Sequence, residues 1–296
     1  MKDLIAQFLD HVAFERGLAA NTRAAYAADL ELFATFLAAR GVHLFNQVTR
    51  KQIVEFLTDQ RRQGMAVATM ARRLVAVKVL FGYLQREGLL DRNVTEAMNS
   101  PKLWRTLPEI LAPTEVGRLV DAAAGDRAQA VRDHAILELF YGCGLRVSEV
   151  ATMRVADVQF EGGFVRCTGK GDKQRVVPMG QAASNSIRRY LDKVRPRWAK
   201  KHPGVDRLFL SQQGKGFTRQ GLYKLIVHYA REAGLGGRVS PHTLRHCFAS
   251  HLLANGAQLR AIQEMLGHAS IATTQIYTHV DQDRLVAVHK KFHPRA

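Results

Sequence analysis

Between Ser240 and His279 the chain reads SPHTLRHCFASHLLANGAQLRAIQEMLGHASIATTQIYTH, and four side chains in it have chemistry that belongs together. His242 and Arg245 stand three positions apart. Ser240 followed by Pro241 reads as a helix start, Ser as cap and Pro in the first turn, and on that helix the two side chains share a face. His268 follows Leu266-Gly267, where the Gly suits a helix end. Tyr277 comes nine residues later, past a second capping candidate, Ser270. A guanidinium, two imidazoles and a phenol at one point suit an anion that must be clamped and attacked. A phosphodiester is such an anion.

Two cations upstream fit the same chemistry. In YGCGLRVSEVATM, Gly142 and Gly144 bracket a tight turn, and Leu145-Arg146 opens a helix with Val150 and Met153 inward. Arg146 then lies beside free backbone N–H groups, a favourable place for an anion. Taken by itself, a surface ion pair with Glu149 at i,i+3 accounts for it better. Lys170 sits between Gly169 and Gly171, at the tip of a hairpin. This GKG is no phosphate-binding P-loop, because the spacing to Gly163 is wrong and no Ser or Thr follows the Lys. His242 and His246 have the i,i+4 spacing of a zinc pair. However, Thr243 stands where the zincin motif needs Glu, and Arg245 lies between them. His246, His251 and His279 read as packing or hydrogen-bonding groups.

The elements that must position these groups follow from periodicity. Residues 1–98 read as four or five helices. Leu4, Ile5, Phe8, Leu9 and Val12 recur at helical spacing. Asn21-Thr22 is read as the cap of a helix with Tyr26, Leu30, Phe33, Phe36 and Leu37 inward. Thr49 caps a third helix, with Ile53, Phe56 and Leu57 inward. A fourth runs from about Ala66 through Leu84, and a short fifth is expected over 93–98. Arg61, Arg62, Arg72, Arg73 and Lys78 fall near one connection, as phosphate contacts or as a solvated basic face. Three prolines in SPKLWRTLPEILAP mark a linker over 100–113. Helices resume after Thr114. Residues 155–160, 164–168 and 174–178 read as strands. Helix returns over 181–235, with a basic stretch at 188–203, a short buried piece at Leu208–Leu210, and a helix opened by Thr218 with Leu222, Tyr223, Leu225 and Ile226. The last is an amphipathic helix from 281, carrying Leu285, Val286 and Val288.

Composition narrows the class. The 296 residues carry 43 Lys+Arg against 26 Asp+Glu, a formal charge of +17, and 47% are hydrophobic. The excess is spread over the chain: 15 basic against 10 acidic residues over 1–107, and 28 against 16 over 108–296. Such a balance points to a polyanion, nucleic acid before membrane. No apolar run approaches a membrane span, and the N-terminus is not a secretory signal. Three widely spaced Cys without a CxxC fit a reducing cytoplasm, the expected location.

The motifs G-L-R-x-S-E at Arg146, H-T-L-R-H at 242–246, L-G-H at 266–268 and Y-T-H at 277–279, with the hairpin Lys170, resemble those of the tyrosine site-specific recombinases, the phage integrase superfamily. LAANTRAAYAADL, the proline-rich linker and the final HPRA resemble its Xer subgroup. Cys143 stands where Thr is common in that family. The resemblance implies a two-domain DNA clamp, mainly α with a small antiparallel sheet in the second domain. Residues 1–99 would be a helical, SAM-like core-binding domain, 100–113 a linker, and 114–296 the catalytic domain ending in a helix that docks on a neighbouring protomer. It implies a catalytic set of Arg146, Lys170, His242, Arg245, His268 and the nucleophile Tyr277, with Lys170 as general acid, and DNA contacts from the region of Arg219 and Lys224. The implied chemistry is transesterification, like that of a type IB topoisomerase, through a 3′-phosphotyrosyl intermediate and a Holliday junction, without ATP, cofactor or metal. The implied partners are a duplex recombination site, a second related recombinase in a cyclic heterotetramer, and a septal DNA translocase as regulator, in chromosome dimer resolution at cell division. A mobile-element integrase of the same chemistry is one alternative. A DNA-binding protein whose tyrosine is idle is another, and a zinc hydrolase is a distant third.

Overall fold

The structure is a computed structural model, and it describes residues 1–15, 20–96, 98, 110–168, 174–267 and 279–296. The chain divides into two compact units, Met1–Arg105 and Thr106–Ala296.

The first unit is helical: α1 (Lys2–Glu15), α2 (Ala20–Ala38), α3 (Arg50–Arg62) and α4 (Val67–Arg86). Thr49 caps α3 as its sequence requires. Its hydroxyl accepts from the Gln52 amide, and the Gln52 side chain accepts from the Thr49 amide at 2.8 Å. The inward faces meet in one core, in which Phe56 packs tilted on Phe33 at 5.1 Å and edge-on to Phe36 at 5.3 Å.

Two expectations fail here. Asn21 and Thr22 lie inside the first turn of α2, which already starts at Ala20. Residues 94–96 form a turn, and the described part of 93–98 holds no helix. The Asn93 side chain accepts from both the Thr95 amide and the Thr95 hydroxyl, offering the backbone a local alternative to a helix. Three of the five singled-out basic residues are held internally. Arg72 and Arg73 both bond the buried Asp29, and Lys78 donates to the Met98 carbonyl at 2.8 Å. Arg61 and Arg62 are exposed.

The second unit begins its regular structure with α5 (Pro113–Asp121), with Pro113 in its first turn. Then follow α6 (Ala128–Cys143) and the single short turn α7 (Val147–Thr152). Gly142 belongs to α6, and the chain turns at Gly144 alone, in the left-handed region at φ 57°. A Cβ there would meet the Phe248 ring at 2.4 Å, so packing as well as conformation demands glycine. The strands are β1 (Val158–Gln159), β2 (Phe164–Thr168) and β3 (Gln174–Pro178), antiparallel in the order β1-β2-β3. The first is shorter than its sequence suggests, because Val155–Asp157 winds into a 3₁₀ turn, with the Asp157 carboxylate accepting from the Arg154 amide.

The remaining helices are α8 (Gln181–Lys193), α9 (Arg195–Ala199), α10 (Arg219–Glu232), α11 (Pro241–Ala254), α12 (Leu259–Leu266) and α13 (His279–Phe292). The basic stretch 188–203 is only partly a solvated face. Tyr190 and Trp198 are buried, and Arg195 turns inward to donate to the carbonyls of Val205, Arg207 and Leu208. Tyr223 on α10 is exposed beside Lys224.

α13 packs within its own chain. Leu285 joins Phe248, Leu252, Ile262 and Met265 in a small core against α11 and α12. The buried His289 donates from Nε2 to the Gly142 carbonyl at 2.8 Å, and Arg295 bonds the buried Glu138.

Candidate active site

Each arginine of interest is placed by a simple local rule. Arg146 is the residue before α7, where its amide donates to Glu149 Oε2 at 2.8 Å. Ser240 caps α11, its hydroxyl accepting from the Thr243 amide at 3.1 Å, with Pro241 in the first turn. That start puts His242, exposed, and Arg245, half-buried, on one face of α11. Both line a hollow of about 620 Å³ between α11 and α12.

The point of convergence is the C-terminal end of α12. The last carbonyls of a helix have no partner within it, and they carry the negative end of its dipole. Three successive carbonyls there each accept from a different guanidinium. Arg175 Nε donates to Met265 O at 2.9 Å, Arg245 Nη2 to Leu266 O at 2.5 Å, and Arg146 Nη2 to Gly267 O at 3.1 Å. Arg245 Nη1 also donates to Gly144 O at 2.7 Å, tying α11 to the turn that presents Arg146. A guanidinium carries more N–H donors than these bonds use.

One carboxylate sits among the three cations. Glu149, 5% exposed, accepts from Arg175 Nη1 at 2.6 Å and Nη2 at 2.9 Å, and from Arg146 Nη1 at 3.0 Å. Burial alone would raise its pKa. The hydrogen bonds and charge of Arg175, with those of Arg146, outweigh that and hold the carboxyl below its usual range. Arg245 shows the opposite pressure. Burial, then the charges of Arg146 and Arg175, pull its pKa down to about 10. Three guanidinium groups and one carboxylate leave this cluster with positive charge in excess.

The ion pair of Arg146 with Glu149 forms, and the same guanidinium also reaches Gly267 O. Lys170, His268 and Tyr277 lie outside the described residues; in sequence His268 directly follows Gly267. His246 is exposed. His251 is buried and structural: Nδ1 faces the Tyr141 hydroxyl at 2.8 Å and Nε2 the Leu111 carbonyl at 2.9 Å. Since a carbonyl only accepts, Nε2 carries the proton and Nδ1 takes the tyrosine's. Arg219 and Lys224 are exposed on α10. Arg175 was missed from sequence, although it carried a signal. It is a charged residue in a strand whose neighbours Val176 and Val177 are apolar, and arginine is buried there only with a partner.

Comparison with known proteins gives the family. Residues 109–284 match the phage integrase family, and residues 5–88 match the phage integrase N-terminal SAM-like domain. The chain is 40% identical, over 297 residues and all of both chains, to the tyrosine recombinase XerD of Listeria monocytogenes serotype 4b (strain F2365). It is 42% identical over 298 residues to the tyrosine recombinase XerC of Roseiflexus castenholzii, covering all of this chain and 95% of that one. Among solved structures, XerH site-specific recombinase bound to palindromic difH substrate shares the fold. The TM-score is 0.70 at 23% identity, over 95% of this chain and 82% of that one. The Tn1549 transposon integrase in complex with transposon right end DNA gives a TM-score of 0.73 at 19% identity, over 95% and 97%.

Proposed function

Because the chain belongs to the phage integrase family, as a Xer-type tyrosine recombinase that cuts and rejoins DNA, we propose that its reaction runs through Tyr277 on a phosphate seated at the end of α12. The observation that supports this is the convergence of Arg146 and Arg245 on successive carbonyls there, with positive charge in surplus. The Tyr277 phenol attacks phosphorus in line. A P–O bond to tyrosine forms as the bond to the 5′-oxygen breaks, leaving a 3′-phosphotyrosyl enzyme. Free phenol has a pKa of about 10, so attack near neutrality needs a base and local positive charge. His242 takes the proton, Lys170 protonates the departing 5′-oxygen, and Arg146, Arg245 and His268 bind the non-bridging oxygens. Attack by a 5′-hydroxyl of the partner duplex reverses the step. The bond energy is kept in the enzyme, so no ATP is consumed.

In this reading residues 1–99 and 114–296 are the core-binding and catalytic domains, joined by the linker 100–113, and close on a duplex recombination site. Arg219 and Lys224 contact the DNA. The first helices resemble the XerD branch, so the partner is a XerC-like recombinase in a cyclic heterotetramer. The task is chromosome dimer resolution through a Holliday junction in the cytoplasm, with a septal DNA translocase as regulator.

The test is a suicide duplex nicked near candidate sites from the chromosome terminus, incubated without metal or ATP. A denaturant-stable protein–DNA band is expected, lost in Tyr277→Phe. Binding without a band, even with the companion recombinase added, makes the tyrosine idle.

A further inference from the structure

Arg175 touches no phosphate in the mechanism above, yet it is more deeply set than Arg146, its side chain 7% exposed against 38%. It lies on β3, and its N–H groups reach two other elements: Glu149 of α7 through both Nη atoms, and Met265 O of α12 through Nε. We infer that Arg175 is a positioning residue for strand cleavage. It holds Glu149 in the orientation that fixes Arg146, and it holds the end of α12 on which Arg146 and Arg245 are seated. The inference rests on the recombinase reading.

The electrostatic reason is specific. Glu149 Oε1 accepts from Arg175 and from Arg146 at once. Without Arg175, one carboxylate would face Arg146 alone, neutralise it, and compete with the phosphate for its donors. With Arg175 present, the carboxylate is already satisfied on one side, so it orients Arg146 without cancelling the clamp. Packing supports the same role. A Cβ on Gly267 would stand 2.8 Å from Arg175 Cδ, so Gly267, which closes α12, lies directly against this side chain. A purely stabilising ion pair would not need to join the carboxylate that orients Arg146 to the helix end that seats Arg245.

The experiment measures single-turnover cleavage of a nicked suicide duplex, with DNA affinity measured separately, for wild type, Arg175→Gln and Arg175→Lys. Each is run on the natural scissile phosphate and on a methylphosphonate, whose uncharged phosphorus centre needs the clamp less. Arg175→Gln is expected to lower the cleavage rate by roughly 10–100-fold, with affinity nearly unchanged. Arg175→Lys should lie between, because lysine restores the charge without the fork. The penalty should shrink on the methylphosphonate and largely vanish in an Arg146→Ala background, since both residues act through one group. Should Arg175→Gln not fold, the charge-conserving Arg175→Lys decides. Cleavage by folded Arg175→Lys at the wild-type rate overturns the inference. So does an equal penalty on both substrates, or a rate loss matched by lost affinity. Wild-type protein that binds DNA and forms no adduct overturns the recombinase reading, and this inference with it.

Discussion

At the scale of single residues, Arg245 is half-buried and held by Gly144 O and Leu266 O. Its two anchored N–H groups fix the guanidinium plane before any ligand arrives, so reorganisation on binding is small. Removing one pre-set donor from a charge-stabilising site costs about 10²–10³ in rate. Arg245→Ala should therefore slow adduct formation by about that factor, while a gel-shift constant moves far less. Arg245→Lys should recover little of it, because a lysine cannot hold two carbonyls and a phosphate oxygen in one plane. A lysine variant cutting at the wild-type rate would show that charge alone suffices.

At the scale of elements, α12 matters through its last turn. Gly267 closes it at φ 64°, and a side chain there meets Arg175. Gly267→Ala should cost about 1–2 kcal/mol from the left-handed backbone alone. It should also slow cleavage, because displacing Arg175 disturbs Glu149 and Arg146. Denaturant melts and single-turnover rates on the same protein separate the two effects. In the first unit, the α3 cap offers a control remote from chemistry. Thr49→Ala removes the hydroxyl that accepts from Gln52 and should cost about 1 kcal/mol in a urea melt.

At the scale of the whole molecule, the C-terminal helix brings buried histidines into the second unit. Burial pushes His289 down to about 4, and it also lowers His251 and His293. The His289 and His293 rings stack at 4.6 Å. The sign of the pH effect follows. An unfolded histidine titrates near 6.5, so between that pH and about 4 the unfolded chain binds a proton that folded His289 refuses. Stability is full above about 6.5 and falls as the pH drops toward 4. The thermal midpoint should decline between pH 7 and pH 5, and His289→Gln should flatten that decline. An unchanged slope in the variant would place the acid sensitivity elsewhere.

Much of this was legible in the chain itself. Periodicity and capping chemistry are local, so Thr49, Thr218 and Ser240 announced their helices, and the mainly helical fold with a small antiparallel sheet followed. The spacing from Pro241 to Arg245 put His242 and Arg245 on one face because a helix repeats every few residues. Local competition was harder to weigh. The Asn93 side chain turned a predicted helix into a turn, and the inward carbonyls of Val205–Leu208 drew Arg195 from an expected solvent face. Only the tertiary structure decided that Arg175, Arg146 and Arg245 cap three successive carbonyls at the end of α12, and that Arg175 and Arg146 share Glu149. No rule of spacing reaches across the residues that separate them. An unsatisfied helix end recruits donors from whatever the fold brings near, and that depends on how β3, α7 and α11 pack.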